Sequence, residues 1–218
     1  MEFIGKSNLR VDALAKVTGN AKYTADLMPK GAYVAKVLHS TIANGEVVKM
    51  DTEEAKKVPG VIGVFTCFDV PDVEFPTAGH PWSTDPHHQD IADRKLLNKR
   101  VRLYGDDIAA VVAEDEVAAS RALKLIKVEY KEYPVHTLAR EMVNASDATP
   151  LHENWRKDNV IAHTTFGTEG YDYDKAKAEA EKQYGKDNLI EVVKNVKTPR
   201  SSHCHIELPV SFAYVDAN

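Results

Sequence analysis

An α+β fold is predicted for this 218-residue chain, and three observations predict it. Residues 61–66 and 108–113 are short apolar runs with the length of buried strands. Residues 115–127 and 173–184 instead carry their apolar positions at helical spacing. Hydrophobic residues make up 43% and charged residues 28%, the balance of a globular chain long enough for one large or two small domains.

The elements follow in order. Residues 1–30 are short of hydrophobic periodicity and punctuated by Gly19, Pro29 and, just beyond, Gly31, which predicts an irregular arm around a brief strand at 21–24. Beta-formers at 33–38 and 46–50, with Ala43, Asn44 and Gly45 between them, predict two strands and a turn. Asp51 with Glu54 three residues later has the pattern of a capping box, so a short helix should run to Lys57 and stop before Pro59-Gly60. The β-branched and aromatic residues of 61–66 read as a buried strand, and Pro71 makes 68–75 an edge or a loop. Between 76 and 93 the composition turns to Pro, His, Asp, Thr and Gly, which predicts a long surface excursion.

Strands are expected at 101–104 and 108–113 around a Gly105-Asp106-Asp107 turn, then a helix at 115–127 with Ala118, Ala122, Leu125 and Ile126 facing inward. A strand at 128–130 closes this unit, which should end near Pro134 and be followed by a small helix at 138–142 and a polar linker at 144–150. Asp172 can cap a helix at 173–184 whose Ala176, Ala180 and Tyr184 share one face before Gly185 ends it. Residues 189–196 and 208–215 are strand candidates, and the turn-like Asp216-Ala217-Asn218 predicts that more chain should follow. No internal repeat is present.

Composition narrows the partners. Thirty-three acidic against 28 basic residues give a formal charge of -5, with no broad positive field for a phosphate backbone, so nucleic acid is not expected. The longest apolar runs fall far short of the roughly 20 residues that span a bilayer, and the start has no export signal, so neither membrane nor secretion is expected. Cys67 and Cys204 include no CxxC pair, which makes a reducing cytoplasm the expected compartment, with room for at most one disulfide.

Candidate chemistry is sparse. In an extended strand His203, His205 and Glu207 would share one face, a donor set that suits zinc or non-haem iron. Side chains two apart on a strand stand roughly 6–7 Å apart, too wide to meet one ion without a bend, so packing or a polar role is the competing expectation. Cys204 cannot pair with either neighbouring histidine on such a strand, because sequence neighbours point to opposite faces. His80, His87 and His88, with Asp85 and Asp90, form a looser loop cluster, and Gly105-Asp106-Asp107 could aim backbone N–H groups at an anion. GxGxxG after a strand, GxxxxGK[ST], GxSxG and HExxH are all absent, which removes the dinucleotide, P-loop, α/β-hydrolase and zincin readings.

The residues carry a family resemblance. Ile4-Gly5 and the string Arg10-Val11-Asp12-Ala13-Leu14-Ala15-Lys16-Val17-Thr18-Gly19-Asn20-Ala21-Lys22-Tyr23-Thr24 resemble the amino-terminal signature of the molybdenum-binding subunit of the xanthine dehydrogenase and aldehyde oxidase family. Pro59-Gly60-Val61, Asp69-Val70-Pro71, Val101-Arg102-Leu103-Tyr104-Gly105-Asp106, residues 108–114, Glu129-Tyr130 and Pro134-Val135 resemble further family positions in the same order. Ala78-Gly79-His80 and Thr198-Pro199 with His203-Cys204-His205-Ile206-Glu207 are similar to bacterial xanthine dehydrogenase large subunits in particular.

The resemblance implies an α/β hammerhead domain at 1–135, a linker at 136–159 and an incomplete, truncated start of a molybdopterin-binding domain at 160–218. It implies oxidative hydroxylation of a purine, related heterocycle or aldehyde, with oxygen from water and electrons passing from molybdenum through [2Fe-2S] clusters and FAD. The metal would be held by the pterin dithiolene, so no metal, cofactor or catalytic residue is expected here; the family's cofactor segment, its glutamine and its base glutamate all belong to chain beyond Asn218. Residues 166–195 depart from the family in length and charge. Three readings result: the front part of a molybdenum hydroxylase large subunit, inactive alone and partnered by the remainder of that subunit and by iron-sulfur and FAD subunits; a free-standing scaffold or subunit-assembly module; or a small metalloprotein using His203, His205 and Glu207. The first also predicts exposed strand edge and apolar surface at 208–215.

Overall fold

The computed structural model describes residues 4–76, 91–154, 158–160, 170–199, 201–202, 204–207 and 209–215. In chain order its elements are α1 (Ala13–Val17), β1 (Val34–His39), β2 (Gly45–Asp51), α2 (Glu53–Lys56), β3 (Val61–Thr66), β4 (Arg100–Val101), β5 (Asp107–Ala113), α3 (Glu116–Leu123), β6 (Lys127–Glu132), α4 (Ala139–Asn144) and α5 (Tyr173–Tyr184). Two compact units divide the chain: Gly31–Phe166, and Met1–Lys30 with Gly167–Asn218.

The Gly31–Phe166 unit is built on two three-stranded antiparallel sheets, ordered β1-β5-β3 and β4-β2-β6. Val111 of the central strand lies opposite Lys36 of β1 and Val64 of β3. Ala109, Val111 and Ala113 face Ala55 of α2 and Ala118, Ala119 and Ala122 of α3. Alanine on both sides lets the helices approach the sheet closely, and the alanine-rich stretch also favours helix. A second cluster, Val47, Val101 and Ile108, is completely buried, and Leu38, Met50 and Val128 pack against both clusters, so the two sheets share one continuous interior.

Local chemistry explains the element ends. The Asp115 carboxylate accepts from Ala118 N at 2.7 Å and starts α3. Gly60, at φ +86°, takes the left-handed conformation that turns the chain from α2 into β3. Gly45 is required by proximity: a Cβ there would lie 2.3 Å from the Lys131 carbonyl oxygen of the paired strand.

Several expectations are corrected. No strand forms at 21–24; α1 and a 3-10 turn at Thr24–Leu27 occupy the arm instead, since Ala13-Leu14-Ala15-Lys16 favours helix. The capping box at Asp51 is not made: Asp51 Oδ1 accepts from Glu53 N at 3.1 Å, and Glu54 turns to Lys57 at 2.7 Å. The strand expected at 101–104 ends at Val101, because the Asp106 carboxylate takes the N–H groups of Arg102 (2.7 Å) and Leu103 (3.2 Å) that a ladder would use. Helix α3 stops at Leu123, so Leu125 loses helical phase and is 42% exposed, whereas Ala118, Ala122 and Ile126 are buried as expected. The end of the 76–93 excursion is not surface: Asp93, like Leu97 and Asn98 beyond it, is buried, and Phe75 and Arg94 exchange two backbone hydrogen bonds.

In the other unit α5 forms over the expected residues, with Asp172 Oδ1 accepting from Lys175 N at 3.1 Å and Gly185 ending the helix at φ +81°. Ala176 and Ala180 are half-buried and Tyr184 is exposed. The strands expected at 189–196 and 208–215 are absent among the described residues, and Ile190, Val192, Val193 and Val196 are exposed. Beta propensity without a ladder partner leaves backbone donors and acceptors to water, and no strand results.

Candidate functional site

The densest polar constellation among the described residues surrounds β4. Arg100 and Arg102 stand two residues apart, and each spends its guanidinium on several acceptors. Arg100 Nη1 donates to Asn44 Oδ1 at 2.8 Å and to the Gly45 carbonyl at 3.1 Å, and Nη2 donates to the Pro150 carbonyl at 3.1 Å. Its Nε donates to Glu153 Oε1 at 3.1 Å, and the guanidinium lies 5.1 Å from the Tyr133 ring centre. The Tyr133 hydroxyl donates to Glu46 Oε1 at 2.7 Å, and that carboxylate pushes the phenol pKa upward.

Arg102 Nη2 lies 3.0 Å from Asp93 Oδ2, its Nη1 donates to the Asp93 carbonyl at 3.3 Å, and its Nε donates to the Leu151 carbonyl. Asp93 is only 6% exposed and also meets His152 Nδ1 at 2.9 Å. A carboxylate taken out of water needs such partners. Asp93, Arg100, Arg102 and Glu153, with Glu46, Glu74, Lys95 and Lys99, line a cleft of about 240 Å³.

The cleft has the chemistry of an ion-pair network. The arginine donors are bound to protein acceptors, Lys95 pairs with Asp72, and the remaining cation of the lining, Lys99, faces a space shared by four carboxylates, Glu46, Glu74, Asp93 and Glu153. A phosphate-bearing pterin needs several free cations or backbone N–H groups, and Lys99 among four carboxylates does not supply them. The residues of this cleft do not fit molybdopterin.

Few of the sequence-predicted candidates fall on described residues. Cys204 adopts φ +45°, outside the extended range, and 204–207 forms no strand. His205 and Glu207 are exposed, Glu207 Oε1 accepting from Thr24 N at 3.4 Å, while His203 lies outside the described residues. Among the described residues no group of three His, Cys, Asp or Glu could hold a metal ion. The cluster of His80, His87, His88, Asp85 and Asp90 also lies outside them.

The Gly105-Asp106-Asp107 turn does not present an anion nest. Gly105 N and Asp106 N both donate to the Oγ of buried Ser40 at 3.1 Å, so these N–H groups point inward and are occupied. Asp107 pairs with His39 at 3.0 Å and with Arg94 at 3.2 Å. Both cysteines are free; burial pushes the half-buried Cys67 thiol up to about 11, which keeps it protonated and unreactive near neutrality.

Sequence reasoning missed Ser40, Asp93, Arg100, Arg102 and His152. Spacing gives one signal, since residues i and i+2 share a side of an extended chain, as Arg100 and Arg102 do. Their partners at 150–153 lie about 50 residues away in sequence, where no local pattern marks them.

Residues 18–134 match the family described as aldehyde oxidase and xanthine dehydrogenase, a/b hammerhead domain. The chain is 40% identical over 208 residues to the putative xanthine dehydrogenase molybdenum-binding subunit XdhA of Escherichia coli, covering 95% of this chain and 26% of that protein. It is 28% identical to the nicotinate dehydrogenase large molybdopterin subunit of Eubacterium barkeri, covering 99% of this chain and 45% of that one. The crystal structure of the aldehyde oxidoreductase from Desulfovibrio desulfuricans superposes with a TM-score of 0.59 at 33% identity, over 68% of this chain and 16% of that one. The chain thus spans about a quarter of the length of its E. coli relative.

Proposed function

Because the chain belongs to the aldehyde oxidase and xanthine dehydrogenase family, we propose that it serves as the amino-terminal part of a molybdenum hydroxylase large subunit and contributes structure rather than reacting groups. In this reading 1–135 is the hammerhead domain, 136–159 the connection, and 160–218 the beginning of a molybdopterin-binding domain. The reaction of the whole enzyme is oxidative hydroxylation of a purine, a related heterocycle or an aldehyde, with oxygen from water. Molybdopterin, held by the remainder of the subunit, supplies the redox chemistry, and [2Fe-2S] and FAD partners take the electrons. The residues of this chain do no catalysis in it.

The observation that carries the reading is the state of the polar cluster at β4. Arg100, Arg102 and Asp93, all within the matched residues 18–134, are consumed by contacts within the protein, which is the arrangement of a scaffold. A cytoplasmic location belongs to the same proposal; no helix among the described residues is long and apolar enough to cross a membrane.

Native mass spectrometry of the protein isolated from its own cells tests the reading. The expected result is this sequence inside an assembly whose mass includes molybdopterin, iron-sulfur clusters and flavin. Recovery of the 24.2 kDa chain alone, or only with copies of itself, overturns it.

A further inference from the structure

We propose that residues 150–153 form a strap, latched by Arg100, Arg102 and Asp93, that closes the β4 end of the hammerhead domain and fixes where the chain leaves it. Strand β6 ends at Glu132, and the family match ends at 134. By sequence the chain from there to 159 is a connection. The geometry divides that connection in two, because its later part returns to the sheet and is held there.

Four consecutive residues are gripped. The carbonyls of Pro150 and Leu151 accept from Arg100 and Arg102, His152 Nδ1 meets Asp93 Oδ2 at 2.9 Å, and Glu153 Oε1 accepts from Arg100 Nε at 3.1 Å. Two of these bonds go to main-chain oxygens, so the latch holds backbone position whatever side chains the strap carries. Charge-assisted bonds of this kind are the stronger class. The far side of the strap is braced as well, with Leu151 N donating to Asn159 Oδ1 at 2.8 Å, and Asn159 takes the left-handed conformation, φ +58°, that asparagine tolerates.

The latch is also needed by the domain. Asp93 is buried, and of its two side-chain partners one, His152, belongs to the strap. Lifting the strap would leave Asp93 with Arg102 alone and open the carbonyl-binding faces of both arginines to water. Glu153 and Asn154 help to line the cleft at β4, so the strap contributes to its shape. The inference rests on these contacts and stands whether or not the enzyme assignment does.

Hydrogen exchange read by mass spectrometry on the intact protein tests it. In the wild type the amides of 151–154 should exchange at least ~10-fold more slowly than those of 192–196, where Val192, Val193 and Val196 are exposed, as a docked segment does relative to a free one. His152→Ala, which removes one grip, should speed 151–154 by several-fold, and Arg100→Leu with Arg102→Leu by roughly 10-fold or more, with β5 peptides unchanged. Exchange of 151–154 at the unprotected rate in the wild type overturns the strap, as does protection that survives the double substitution. Should the double variant lose β5 protection through misfolding, the wild-type rate and His152→Ala still decide.

Discussion

Gly45 occupies the tightest approach between β2 and β6, where a Cβ would lie 2.3 Å from the Lys131 carbonyl oxygen and 2.7 Å from Ile42 Cδ1. Gly45→Ala must therefore part the two strands, and denaturant unfolding should show a loss of about 3 kcal/mol, the upper range for overpacking an interior. Cys67 is a second residue whose surroundings decide its chemistry. Its thiol is raised from 9.0 to about 11 by burial. The folded state then holds the proton after the unfolded chain has released it, so the contribution is complete below about pH 9 and is lost as pH rises towards about 11. Thiol labelling at pH 8 should modify exposed Cys204 first, with Cys67 reacting only in strongly alkaline solution or after unfolding; rapid labelling of Cys67 at pH 8 would contradict its burial. Neither prediction could be read from residue identity. Asn44-Gly45 announces a turn in the sequence, but the carbonyl that crowds Gly45 lies 86 residues later.

Among the elements, α3 was legible because its signals are local: an Asp cap, helix-forming residues and an alanine stripe. Asp115→Ala removes the acceptor for Ala118 N and should lower thermal stability by about 1 kcal/mol, the usual worth of an N-cap. Ala119→Leu inserts bulk where Ala119 is fully buried against β5, and a loss of about 2 kcal/mol in a denaturant melt is expected. The α5 boundaries were equally legible, since Asp172 and Gly185 mark both ends. Strands were read less well, because a strand is defined by its neighbour. Residues 61–66 became β3 by pairing with β5, whereas 189–196, with comparable β-formers, found no ladder partner among the described residues and formed no strand, with Ile190, Val192, Val193 and Val196 exposed. At 101–104 a single side chain, Asp106, redirected two backbone donors and cut the strand short.

Across the whole molecule, stability is expected to be uneven. The interior formed by α3, β5, Val47 and Val101 should show the slowest hydrogen exchange, and 189–196 and 209–215 the fastest, given side chains such as Val193 at 80% and Val215 at 97% exposed. Strong protection of 209–215 in a monomer would contradict this and the scaffold reading that goes with it. The sequence by itself determined the family, the alternation of strands and helices through 34–132, the caps of α3 and α5, and the absence of motifs for nucleotide, hydrolase or zincin chemistry. These rest on spacing and on residue types whose preferences act within a turn or two of chain. Only the tertiary structure decided which β-prone runs became strands, that Cys204 takes a left-handed conformation and 204–207 forms no strand, and that Arg100, Arg102, Asp93 and His152 meet. Strand pairing and the burial of Asp93 draw on partners far away in sequence, such as His152, and their energy depends on desolvation and geometry that no local pattern encodes.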